Sequence, residues 1–327
     1  MRGLGAAYQI AENLLRRAHQ ARNPSALVYA HHALGETHFY AGNFVAAREH
    51  LVLSIFLYDA ERHRPLSAQY ALDAGVYALT FAAATLWHLG YPDQALQKMN
   101  EGVALAQWLS DPFSLAFAQL GMGVVRQLRR EAFAVQERSE TLMSLCAEHG
   151  LIQYSYYRNF LGGWALAEQG HNEEGIALIE EGLASSVIGD KLNRSYFLVL
   201  LAESCRKTSR VKDGLRALGE ASAVADEQEV HFADAEIHRM KGELLLEQDS
   251  SSVTEARICF QQAIEVARQQ STKSLELRAT TSLARLLALQ DRRDEARTIL
   301  AEIYSWFTEG FDTADLKDAK ALLEELT

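Results

Sequence analysis

Small or apolar residues recur along the chain at Ala7, Ala47, Ala95, Val135, Gly175, Gly214, Ala256 and Ala296, separated by 40, 48, 40, 40, 39, 42 and 40 residues. Each opens the same pattern. Four and seven residues on stand further uncharged residues, as in Ala7, Ala11, Leu14, in Ala47, Leu51, Ser54 and in Ala256, Phe260, Ala263. On an α-helix these positions share one face. A face repeated at a near-constant period of this size predicts a solenoid of stacked helix pairs.

The rest of each period fits a second helix and a tight turn. A small residue stands at Gly35, Ala83, Gly123, Gly163, Ala202, Gly242 and Ala284, where two helices approach closely. Most predicted turns come seven residues later, at Gly42-Asn43, Gly90-Tyr91-Pro92, Arg130-Glu131, Gly170-His171-Asn172, Ser209-Arg210 and Asp291-Arg292. Glycine there supplies the left-handed conformation that closes a helix. The sixth unit has a longer polar turn, Gln248 to Ser252.

The fold class expected is all-α: a right-handed solenoid of about seven helix-turn-helix repeats forming one array over residues 1–327. Residues 1–22 read as the second helix of an incomplete first repeat. The expectation from this phase is a chain cut from a longer protein, or an N-terminal edge that docks elsewhere. Residues 312–327 read as a capping helix. Gly310 ends the helix before it, Asp312-Thr313 offers the N-cap, and Leu316, Ala319, Leu322, Leu323 and Leu326 form its apolar stripe.

The order of small residue, turn, alanine and large apolar residue resembles the tetratricopeptide repeat. It is clearest in Leu34-Gly35, Gly42, Phe44, Ala47, Leu51 and in Gly242, Ala256, Phe260, Ala263. The usual period is about 34 residues, so both helices here are longer. The tail from Tyr304 to Lys320 is similar to the C-terminal end of a group of large bacterial proteins. Gly163 to Gly170, Lys241 to Leu246 and Ser274 to Arg278 match that group too. Its members carry a nucleotide-cyclase or DNA-binding domain, an AAA-type ATPase and then a repeat array. The resemblance implies a sensor or regulatory array, with an N-terminal edge meeting an ATPase or further repeats. It carries over no cyclase or ATPase activity.

Charge narrows the partners. The net charge is −11, and no basic face is visible for phosphate contacts, so nucleic acid is not an expected partner. Arg126, Arg129 and Arg130 read as a solvated helix end. Three scattered cysteines, Cys146, Cys205 and Cys259, form no CxxC pair and suit a reducing, cytoplasmic setting. The longest apolar stretch, Ala74 to Leu89, is too short to span a bilayer, so no membrane role is expected.

Catalytic motifs are missing from the sequence. There is no GxxxxGK[ST] loop, no HExxH and no zinc spacing. His31, His32 and His38 with Glu36 form the densest titratable cluster. A metal-dependent enzyme there is the least favoured reading. His231 and His238 repeat the seven-residue spacing. The expectation is no enzyme, no cofactor and no metal.

One stripe stands out. Six residues before each close-packing small residue lie Tyr29, Tyr77, Phe117, Tyr157, Tyr196, Glu236 and Arg278: five aromatic positions, then two charged. With Trp87 and Trp164, the rings read as an aromatic groove for a protein, a peptide or a small-molecule inducer. The other reading wedges them between neighbouring repeats. His32, Glu36, Thr80 and Ala84 stand where a chaperone-type peptide clamp needs Lys and Asn, so that clamp is not expected. The leading functional expectation is a non-enzymatic binding array serving an ATPase-coupled regulator. A free-standing adaptor or scaffold is the alternative.

Overall fold

The structure is a computed structural model that describes residues 3–64, 73–185, 191–249 and 252–327. Met1, Arg2, Ser250 and Ser251 lie outside the described residues, so parts of the first half-repeat and of the sixth-unit turn do too. Every regular element described is helical.

The chain opens on α1 (Leu4–Gln20). Seven helix pairs follow: α2 (Pro24–Tyr40) with α3 (Phe44–Leu57), α4 (Ala74–His88) with α5 (Pro92–Leu109), and α6 (Pro112–Leu128) with α7 (Ala132–His149). A single turn, α8 (Ile152–Ser155), precedes α9 (Tyr157–Glu168) with α10 (Asn172–Ala184). Then come α11 (Arg194–Arg206) with α12 (Val211–Gln228), α13 (Asp234–Gln248) with α14 (Val253–Gln269), and α15 (Lys273–Leu289) with α16 (Arg293–Tyr304). Last is α17 (Ala314–Glu325), which covers α15 and α16.

Local chemistry sets these ends. Asn23 and Asp111 precede a proline and cap α2 and α6, accepting from Ala26 N at 3.1 Å and Ser114 N at 2.9 Å. Each predicted turn is closed by one left-handed residue: Gly42, Gly90, Arg130, Gly170, Ser209 and Asp291 all have positive φ. Three of the six are not glycine. There the turn follows from the hydrogen bonds that close it, such as Glu131 N to Arg126 O at 3.0 Å.

The repeated face is the core. Ala47, Leu51 and Ser54, or Ala256, Phe260 and Ala263, are fully buried. Some pairs approach more closely than side chains permit: a Cβ on Gly175 would lie 2.4 Å from the Gly163 carbonyl oxygen. The first triad differs. Ala11 is buried, but Ala7 and Leu14 are exposed, because the buried face of α1 is Leu4, Ala11 and Ala18.

The array coils until it meets itself. The Tyr40 carbonyl accepts from His231 N at 2.8 Å. The His88 carbonyl accepts from Thr272 Oγ1 at 2.8 Å, and the Leu128 carbonyl from Arg278 at 2.7 Å. Turns of the first three units therefore sit on units about five places later, and two superhelical turns share a seam. Glu309 belongs to it. Its carboxylate accepts from Asp93 N at 2.9 Å and Gln94 N at 3.0 Å, capping α5, whose own N-cap makes no side-chain bond.

The seam corrects two expectations. Arg129 is not on a solvated helix end. It is 3% exposed and held by Asp93, Glu131 and Asp312. Asp312 does not cap α17. Its carboxylate serves Arg129, and Thr313 stands at the N-cap without a side-chain cap bond.

Candidate functional site

The first helix of every pair faces inward. These faces line a partly open cavity of about 180 Å³. Six of the seven stripe positions line it: Tyr77, Phe117, Tyr157, Tyr196, Glu236 and Arg278. Trp87 lines it as well, with the Arg278 guanidinium 4.8 Å above its ring. Tyr29 lies on α2 away from the cavity wall. Trp164 is buried in the core at 1% exposure and donates its indole N–H to Glu203 at 2.9 Å.

The rings meet across repeats as well as facing the cavity. Tyr77 stacks on Phe117 at 4.2 Å, with an interplanar angle of 12°. Tyr157 meets Phe197 edge to face at 5.7 Å. Tyr196 approaches Phe232 at 6.0 Å. Such pairs hold the wall rigid. The polar groups in that wall are mostly occupied. Tyr196 donates its hydroxyl to Gln127, and the Asn193 amide lies 3.4 Å from the hydroxyls of both Tyr40 and Tyr157. Burial raises the Tyr196 hydroxyl far above the usual tyrosine range and pushes His88 down to about 4. Both are neutral near pH 7, so the aromatic part of the lining is uncharged. Phe39, Tyr40, Phe81, Asn193, Phe197 and Phe232 also line it and were not singled out by the stripe. Phe39 is a groove candidate of the sequence all the same, four residues past Gly35 as Trp87 is four past Ala83 and Gln127 four past Gly123.

At the sixth and seventh units the lining becomes ionic. Burial alone would raise the Glu236 carboxyl, but Arg239 and Arg278 hold it down at about 2. Arg278 also bonds Asp315 Oδ2 at 2.9 Å, so it joins the cavity to the capping helix.

The His cluster has its own geometry. His31 Nδ1 lies 3.0 Å from His50 Nδ1, and the His38 ring stacks on His50 at 5.5 Å. His32 points elsewhere, edge-on to Tyr77 at 4.4 Å, with Glu36 3.8 Å away. His231 pairs with Asp234 at 2.9 Å. Among the described residues no group of three or more His, Cys, Asp or Glu side chains is arranged to hold a metal ion. No described helix is long and apolar enough to cross a membrane.

The tetratricopeptide repeat family profile matches residues 28–52, 76–97 and 277–302, which fall on the first, second and seventh pairs. The chain is a tetratricopeptide-like repeat array. No curated protein matches it in sequence. Among solved structures, the array is similar to a Rap protein complexed with Competence and Sporulation Factor. The two are 12% identical with a TM-score of 0.60, over 92% of this chain and 77% of that one. It is similar also to the Rap conjugation gene regulator of plasmid pLS20 in complex with the Phr* peptide, at 10% identity and a TM-score of 0.53, over 94% and 76%. Against yeast Tom70 it is 12% identical with a TM-score of 0.48, and 99% of this chain spans 58% of that one. The likenesses to the two Rap proteins establish the fold. A tetratricopeptide repeat array of this kind is a protein-binding module.

Proposed function

We propose that the array is a non-enzymatic sensor that takes a peptide, or a small inducer of like chemistry, into the cavity between its stacked turns. One observation carries this reading: the partly enclosed cavity is walled by rings from successive first helices, with Trp87, Tyr77, Phe117 and Tyr196 among them. Aromatic side chains around a partly enclosed apolar space are the usual lining of a ligand site. The peptide held by the pLS20 Rap regulator, a relative in fold, supports a peptide as occupant. The tail from Tyr304 to Lys320 supports a place beside an AAA-type ATPase, with the array reporting occupancy.

The test is binding of N-phenyl-1-naphthylamine, whose fluorescence rises in apolar surroundings. It is expected to bind the parent and not Val124→Phe, which fills the cavity from α6. Equal binding by parent and variant, with circular dichroism showing both folded, sinks the cavity as the site. The signalling context is tested in the genome: an ATPase domain in one reading frame with the array supports it, and its absence there favours a free-standing adaptor.

A further inference from the structure

A second cavity, of about 360 Å³, adjoins the aromatic one. Glu203 and Arg278 belong to the walls of both, so the two spaces meet. The first is mostly aromatic and the second is ionic.

The hydrogen bonds in the ionic cavity are unevenly used. Its carboxylates are largely engaged. Glu203 accepts from Trp164 at 2.9 Å, Glu243 from Ser282 Oγ at 2.6 Å and Asp315 from Arg278 at 2.9 Å. Among its five arginines, Arg239, Arg278 and Arg206 donate to Glu236, Asp315 and Glu247. Arg130 and Arg285 face Asp315 and Asp318 at 3.5 to 4.0 Å, long for a hydrogen bond, with the carboxylates of Glu203 and Glu168 also near Arg130. The Arg206 Nε is buried and donates to nothing. A guanidinium carries five N–H donors. Arg130, Arg285 and the Nε of Arg206 thus leave donors unspent in the cavity.

These donors also converge. Arg130 and Arg285 both reach towards the same oxygen, Asp318 Oδ2, from 3.5 and 4.0 Å. Asp318 is half exposed. A ligand oxyanion taking the place of the Asp318 carboxylate would have two guanidiniums beside it, a pairing that suits carboxylate and phosphate.

Resting on the binding reading above, we infer that the ligand is an amphipathic acid. Its apolar part fills the aromatic cavity, and its carboxylate or phosphate is held between Arg130 and Arg285. Thr80 and Ala84, two of the clamp positions, line the aromatic cavity, whereas none of the four lines the ionic one. Arg130 belongs to the third unit and Arg285 to the seventh, so the oxyanion ties one superhelical turn to the next.

The experiment compares two dyes on the full chain. One is N-phenyl-1-naphthylamine. The other is 8-anilinonaphthalene-1-sulfonate, the same ring system with an added sulfonate. The sulfonated dye is expected to bind about tenfold tighter or more, as charge-assisted hydrogen bonds imply. The double variant Arg130→Gly/Arg285→Ala is expected to remove that preference and leave the neutral dye unaffected. Glycine suits position 130, where φ is 62°. Arg285→Ala alone, at a half-exposed position, is the second variant should the double one fail to fold. Equal affinity for the two dyes, or a preference that survives the variants, overturns the oxyanion site while the aromatic cavity stands. Arginine-dependent binding of the sulfonated dye without any binding of the neutral one keeps the oxyanion site and sinks the aromatic cavity. Binding of neither dye overturns both.

Discussion

The Arg129 guanidinium lies 3.2 Å from both carboxylate oxygens of Asp312, 183 residues further along the chain. Arg129 is buried, while Asp312 is 71% exposed. Losing the arginine removes several charge-assisted bonds, but the exposed carboxylates regain water. Arg129→Ala is thus expected to lower unfolding stability by about 1–3 kcal/mol, and Asp312→Ala by much less. Urea denaturation of the two variants checks the asymmetry. Equal effects would mean that the pair, and not the burial of Arg129, is what matters.

Glu309 caps a helix that starts 217 residues before it in the chain. Glu309→Ala is expected to cost about 1 kcal/mol, as loss of an N-cap does. Amide exchange should accelerate at Asp93 and Gln94. Unchanged exchange at both would argue against the cap.

Two glycines separate strain from crowding. Gly90 and Gly150 both have positive φ, at 94° and 68°. A Cβ on Gly150 meets nothing within 4 Å, whereas one on Gly90 would lie 2.5 Å from Trp306 across the seam. Gly150→Ala should cost about 1–2 kcal/mol, the left-handed penalty alone. Gly90→Ala should cost clearly more, and thermal melts of the pair would show it. Similar losses in both would leave the contact with Trp306 without energetic weight.

Acid is expected to loosen the N-terminal units. Burial lowers the pKa of His31, His38 and His50 below the ordinary histidine value, and His50 adds to this at the other two. Burial also pushes His32 down to about 4. Folded values below the unfolded value of about 6.5 mean that the neutral rings stabilise. That contribution is complete above pH 6.5 and fades as pH falls through the folded values. Urea midpoints should therefore drop between pH 7 and pH 5, and less so in His50→Gln.

Glu36 works in the opposite direction. Burial raises it to about 7 from 4.5, so its stability contribution is complete below pH 4.5 and lost as pH rises through 7. Glu36→Gln should stabilise the protein by about 1–3 kcal/mol at pH 8 and have little effect at pH 4. No gain at pH 8 would show that the carboxyl is solvated.

Local order was largely written in the sequence. Period, turns and packing faces all follow from residues within one repeat of each other, such as Ala47 with Leu51 or Gly163 with Gly175. The stripe from Tyr77 to Arg278 carried the cavity wall, including its change from aromatic to ionic. The closure was not legible. Nothing near Arg129 distinguishes it from an arginine on a solvated helix end, because its partner is set by the superhelical pitch. Pitch accumulates from small rotations at every junction, and no single junction records it. Asp312 failed as an N-cap for the same reason.

Repeat number usually drifts freely in solenoids, because each unit needs only its neighbours. In this chain, deleting or inserting one unit between the third and the sixth would carry Thr272 away from His88, Arg278 from Leu128 and Asp312 from Arg129 together. A gain or loss of a whole repeat, harmless in an open array, becomes a frameshift in space. The count of units is thereby held as tightly as the identity of a core residue.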